Sequence, residues 1–153
     1  MNFIAEIEID LPRAEVLHKL INTDNYQHWQ EGFRSAEHIS GDIGQFGAKM
    51  KLIYKFGSKQ KIWIETITKR DLPFQLHANY SNNGLINFQR NYFNENSEGV
   101  TKWISKNEFI PTNFKMRLII IFMPGVFKKQ ILKQMKNFKK FAEENQSLLN
   151  ATN

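Results

Sequence analysis

The chain has 153 residues, 41% of them hydrophobic and 24% charged, with a formal net charge of +6 and no cysteine. That length suits one domain, residues 1–153, built around one core. The lack of cysteine excludes disulfides, thiolate metal ligands and a cysteine nucleophile.

Thirteen phenylalanines, four tyrosines and three tryptophans supply bulky area for a large core or for the walls of an apolar pocket. The opening MNFIAEIEID sets Glu6, Glu8 and Asp10 among its apolar residues, unlike a signal peptide. The longest apolar run, Leu118 to Met123, is far short of the roughly 20 residues that cross a bilayer. A soluble, cytoplasmic protein without stable membrane insertion is expected.

Phe3 to Ile9 alternates, with Phe3, Ala5, Ile7 and Ile9 on one face and Glu6 and Glu8 on the other, the pattern of a half-buried strand. Asp10 before Leu11-Pro12 reads as the cap of a first helix, whose apolar face is Val16, Leu17, Leu20 and Ile21. Asn22-Thr23-Asp24 ends that helix and caps a second short one carrying Tyr26 and Trp29, which Gly32 stops.

From Phe33 the period becomes two. Strands are predicted over Phe33–Ser40, Gly47–Phe56, Gln60–Lys69, Phe74–Tyr80, Leu85–Asn94 and Val100–Ile110. Between them lie the glycine-rich Gly41–Gly47, Gly57-Ser58-Lys59, Asp71-Leu72-Pro73, Asn82-Asn83-Gly84 and Glu95–Gly99. Strands joined by short turns make an antiparallel meander.

Pro111-Thr112-Asn113 ends the sheet and caps a long amphipathic helix, predicted from Phe114 to about Gln146 with a kink or short break at Pro124-Gly125. Phe127, Ile131, Met135, Phe138 and Ala142 form its apolar stripe, and Lys128, Lys129, Lys133, Lys136, Lys139 and Lys140 its basic side. The polar tail from Ser147 is expected to fray. Many strands closed by one long helix pack best as a curved sheet around that helix, and such a grip can enclose a cavity.

This order resembles the START-like, or SRPBCC, superfamily of helix-grip, Bet v 1-like proteins, which includes bacterial polyketide cyclase/dehydrase-like and lipid-transport members. The resemblance rests on IEIDLPRAEVLHKLINTDNYQHW, SGDIGQFGAKMKLIY, IETITKRDLPFQL and KQMKNFKKFAEE and covers essentially the whole chain. It implies an α+β fold of six to seven antiparallel strands around a C-terminal helix. It also implies a cavity for lipids, hormones or polyketides, with cyclisation or dehydration in some members. It brings no shared catalytic residue.

Strand parity supplies cavity candidates. Tyr54 shares a face with Met50, Leu52 and Phe56. Arg90 and Tyr92 follow Ile86 and Phe88, and Ser105 and Asn107 lie between Trp103 and Phe109. Tyr54, Arg90, Tyr92, Trp103 and Asn107 are therefore expected to face the space between sheet and helix, since a few polar groups converging in an apolar cavity mark a ligand site. Arg90 would clamp an anionic group, pair with a protein carboxylate or reach solvent at the rim. The strand around Trp63 is apolar on both faces, which leaves open which one is inward and whether the other makes a homodimer contact.

His18, His28, His38 and His77 have no metal-site spacing, and there is no G-x-S-x-G elbow, P-loop or dinucleotide fingerprint. No metal and no cofactor are expected. The lysine side of the last helix reads as a solvated face or as an attraction to anionic membrane. The aromatics belong to core patterns, so no nucleic-acid partner is expected. The expected function is binding, with transport as an extension, of a hydrophobic small molecule or lipid. The alternatives are a polyketide cyclase/dehydratase-like enzyme, with Tyr54 or Tyr92 as proton donor or Arg90 as oxyanion clamp, and a homodimeric interaction module without ligand.

Overall fold

The computed structural model describes the backbone of residues 1–151 and the side chains of residues 1–144. The helix predicted to end near Gln146 and to fray from Ser147 instead continues to Ala151. β1 (Asn2–Ile9) is followed by α1 (Arg13–Ile21), a 3₁₀ turn (Thr23–Asn25) and α2 (Tyr26–Trp29). Next come β2 (Phe33–Ser40), β3 (Lys49–Phe56), β4 (Lys59–Asp71), β5 (Gln75–Asn82), β6 (Leu85–Glu95) and β7 (Thr101–Pro111). The chain closes with α3 (Phe114–Phe122) and α4 (Gly125–Ala151).

The seven strands form one antiparallel sheet in the order β1-β7-β6-β5-β4-β3-β2. It is a meander in which the last strand returns to pair with the first. The short helices link the two edge strands, and α4 lies along β1 and touches α1 and α2. The sheet is thus curved around α4, as expected.

The core lies where the apolar stripe of α4 meets the sheet. Met135, Phe138 and Ala142 are buried. Phe138 sits between Trp29 and Trp103, with ring centroids at 5.2 and 5.7 Å. Nearer the start of α4, Phe127 stacks on Phe109 of β7 at 4.9 Å.

The Asn113 side chain accepts from the Met116 N–H at 2.8 Å and caps α3, as expected. The Asn22 side chain accepts from the Asp24 N–H at 3.0 Å, but it caps the 3₁₀ turn, and α2, with Asn25 in the cap position, has no side-chain cap. Asp10 does not cap α1, because the helix begins at Arg13 with Pro12 in the cap position. The Asp10 N–H instead donates to Glu143 Oε1 at 2.9 Å, tying the end of β1 to α4.

The break expected at Pro124-Gly125 divides the helix in two, and the halves differ. α4 is amphipathic and packs on the core, whereas α3 (FKMRLIIIF) contains no buried residue. Its solvent side carries Phe114, Leu118, Ile121 and Phe122, an i, i+4, i+7, i+8 stripe that is apolar and exposed.

Candidate functional site

Inward-facing residues of β3 to β7 meet the first turns of α4 in a partly open cavity of about 190 Å³. Leu52 and Tyr54 come from β3, Trp63 and Glu65 from β4, Tyr80 and Asn82 from β5, and Leu85, Asn87 and Gln89 from β6. Phe56 of β3, Lys61 of β4, Phe109 of β7, Phe127, Gln130, Ile131 and Gln134 of α4, Met116 of α3, and Tyr26, Gln30 and Glu31 of the α2 region complete the lining. The ambiguous strand is thereby resolved: Trp63, Glu65 and Ile67 face inward, and Ile62, Ile64 and Thr66 face out. A bulge between Ile67 and Lys69 then turns Lys69 outward.

Glu65 is buried, and the Tyr80 hydroxyl hydrogen-bonds to it. Burial pushes the carboxyl pKa above the usual carboxylate range, and the bond from Tyr80 opposes the shift. The hydroxyls of Tyr26, Tyr54 and Tyr80 are pushed up by burial and further by the Glu65 charge. The Tyr54 hydroxyl donates to Gln30 Oε1, joining sheet to helix across the cavity. This end can bind or transfer a proton, because Glu65 in its neutral form is a hydrogen-bond donor.

The wall formed by β6 and β7 is a ladder of amides. Asn87 Nδ2 donates to Asn107 Oδ1 at 3.1 Å, and Asn107 Nδ2 donates to Ser105 Oγ at 2.9 Å and to the Ser105 carbonyl at 3.2 Å. Gln89 Nε2 bridges Ser105 Oγ and Asn91 Oδ1, both at 3.2 Å, and Trp103 Nε1 donates to Asn91 Oδ1 at 2.9 Å.

No protein-family model and no curated protein matches the chain. Solved structures do. A conserved protein from Geobacillus kaustophilus is 18% identical with a TM-score of 0.75, covering 94% of this chain and 96% of its own. Ara h 8.0201 is 13% identical with a TM-score of 0.73, covering 94% and 98%. Major latex-like protein 151 of Panax ginseng is 13% identical with a TM-score of 0.66, covering 93% and 97%. The chain has the helix-grip fold of the Bet v 1-like proteins.

Within the helix-grip cavity, Tyr54 alone of the five residues expected from strand parity is part of the lining. Asn107 faces inward but spends its amide on Asn87 and Ser105, holding the wall from behind. Trp103 faces inward and is buried in the core between Phe93 and Phe138.

Arg90 and Tyr92 are a correction. Both lie on the convex face, away from α4. Arg90 is exposed in a cross-strand row with Lys69, His77 and Lys106, and the Tyr92 ring is flanked by His77 and by the Lys106 ammonium at 5.2 Å. His77 is pushed below the usual imidazole range by partial burial and by Lys69 and Arg90.

The parity of β6 is reversed because Phe93 pairs with Trp103 across the hairpin. With Phe93 inward, Asn91, Gln89 and Asn87 must follow, and Ile86 and Phe88 turn outward. Glu65, Tyr80, Asn82 and Asn87 were missed. The signal that could have found them is the Phe93–Trp103 register itself, extended strand by strand.

Proposed function

We propose that residues 1–153 act as one domain that binds a hydrophobic small molecule or lipid in the cavity between sheet and C-terminal helix. It would do so in the cytoplasm and without a cofactor. The observation that carries this reading is a cavity with aromatic and aliphatic walls on one side and buried polar groups on the other, the usual make-up of a small-molecule site. At about 190 Å³ it is smaller than the roughly 300–1,000 Å³ typical of drug-sized ligands. It suits a compact ring system as it stands, and a longer acyl chain would extend beyond it.

The test is native mass spectrometry of freshly purified protein, together with titration of a fluorescent polyaromatic probe. Saturable binding that is lost in Ile131→Trp, which fills the lumen from α4, supports the reading. Binding that is unchanged in that variant removes it.

Transport is supported by the exposed apolar stripe of α3, the helix whose Met116 lines the cavity. Between Ile110 and Ala142 the chain has eight lysines and arginines and no acidic residue. Among the described residues, no ion pair involves Lys115, Arg117, Lys128 or Lys129. Apolar side chains beside free cations suit pickup from an anionic bilayer surface. Co-sedimentation with anionic but not zwitterionic vesicles would support it.

A second reading is favoured by one observation. Glu65, with its raised pKa and its bond to Tyr80, faces the cavity and could act as a general acid in a cyclase/dehydratase-like reaction. A product formed by the wild type and lost in Glu65→Gln would select the enzyme over the carrier.

A further inference from the structure

Glu65 is the buried carboxyl of the cavity. It lies in β4, in register with Met50 of β3 and Tyr80 of β5, and shares the lining with Tyr26, Tyr54 and Tyr80. Those three hydroxyls are the titratable groups that face it, from α2, β3 and β5. Tyr80 supplies one hydrogen bond, and a carboxylate has room for about four. Among the described residues Glu65 takes part in no ion pair.

The other charged groups of the lining are spent or distant. Glu31 is exposed and paired with Lys133 at 2.6 Å. Lys61 is also exposed, with its ammonium 6.0 Å from the Phe56 ring centroid. Four residues of strand, about 13 Å, separate it from Glu65, more than a Debye length at physiological salt, and it does not pull the Glu65 carboxyl down. Gln130 and Gln134 of α4 can donate or accept, so they do not discriminate by charge.

A lone carboxyl in such surroundings keeps its proton, because burial without a counter-charge disfavours the anion. A ligand ammonium brings that counter-charge. It would pair with the carboxylate in a charge-assisted hydrogen bond, in surroundings less polar than water. Aromatic rings around the lumen attract a cation as well.

We infer that the cavity takes a cationic amine on a compact apolar ring system, with Glu65 as its counter-ion. The inference rests on the binding reading above and narrows its ligand class.

The probes are 2-naphthylmethylamine, which is protonated at neutral pH, and 2-naphthylmethanol, its neutral counterpart of the same shape. Both carry a hydrogen-bond donor, so the pair isolates charge. An ammonium loses far more hydration than a hydroxyl on entering an apolar site, so a cavity without an opposite charge prefers the alcohol. The wild type is expected to bind the amine tighter by about tenfold or more at neutral pH. In Glu65→Gln, which keeps the shape and can still accept from Tyr80, the order should reverse.

The amine must displace the Glu65 proton and the alcohol need not. The wild-type preference should therefore grow with pH, with a midpoint above the ordinary carboxylate value of about 4.3. Tyr26, Tyr54 and Tyr80 stay neutral across this range, because burial pushes their hydroxyls up. Equal binding or an alcohol preference in the wild type overturns the inference and leaves the binding reading standing. So does an amine preference that survives in Glu65→Gln, is independent of pH, or has its midpoint at the ordinary value. Binding of neither probe removes both. The wild-type pH profile decides the matter even if Glu65→Gln fails to fold.

Discussion

Glu65 is a carboxyl in an aromatic cavity, and among the described residues no lysine, arginine or histidine forms an ion pair with it. Its raised pKa has a definite sign for stability. Between the ordinary carboxylate value and the folded value, the native state holds a proton that the unfolded chain has released. Stability therefore falls as pH rises through that window and stays lower above it. Glu65→Gln does not titrate and can still accept from Tyr80. The variant should gain on the wild type as pH rises from about 4, and the gap should close again in acid. Thermal unfolding of both proteins across pH measures this, and a gap independent of pH would place the burden of Glu65 elsewhere. Sequence alternation gave no hint of this residue, because Ile62, Ile64 and Thr66 on the other face of β4 are as apolar as Trp63, Glu65 and Ile67. Tyr54 was legible because its face is apolar from Met50 to Phe56, while the opposite face carries Lys49, Lys51 and Lys55 around Ile53.

The elements were legible where one face clearly outweighs the other. The stripe of α4 is such a case, and Phe138 is its centre, with no exposed surface between Trp29 and Trp103. Phe138→Ala should cost about 3–5 kcal/mol in denaturant unfolding, and a loss below about 0.5 kcal/mol would mark the site as peripheral. β6 was illegible for the converse reason. Its inner amides bond to one another and to β7, so they need no water, and its outer face carries Ile86 and Phe88. A rule that sends apolar residues inward picks the wrong face of such a strand.

Turns were read from residue type with more success. Gly84 in the β5–β6 hairpin has φ +117°, and a Cβ there would meet Asn113 Nδ2 at 2.5 Å. Gly84→Ala would therefore strain the hairpin and push on the side chain that caps α3. A loss of about 1–3 kcal/mol is expected, and a neutral effect in the same unfolding assay would show that the backbone adapts.

At the scale of the molecule, the meander and its closing helix were readable because short turns leave few ways to order consecutive strands, and a long amphipathic helix must cover one sheet face. The interior was less readable. Whether a grip of this kind leaves a void depends on how side chains from five strands and three helices meet, which no single period records. The break at Met123-Pro124 has a further consequence. α3 has nine residues and buries none of them, and an isolated helix shorter than roughly 12–15 residues is marginal in water. It is held by the Asn113 cap, by the Thr112 N–H bond to the Gly84 carbonyl at 2.8 Å and by light contact with β7. Amide protons of Ile119 to Phe122 should exchange with deuterium much faster than those of Lys133 to Phe138, and a bound ligand touching Met116 should slow them. Protection equal to that of α4 in the empty protein would refute this. Melting α3 would then take Met116 out of the cavity lining while the sheet, α4 and the aromatic cluster around Phe138 stay folded.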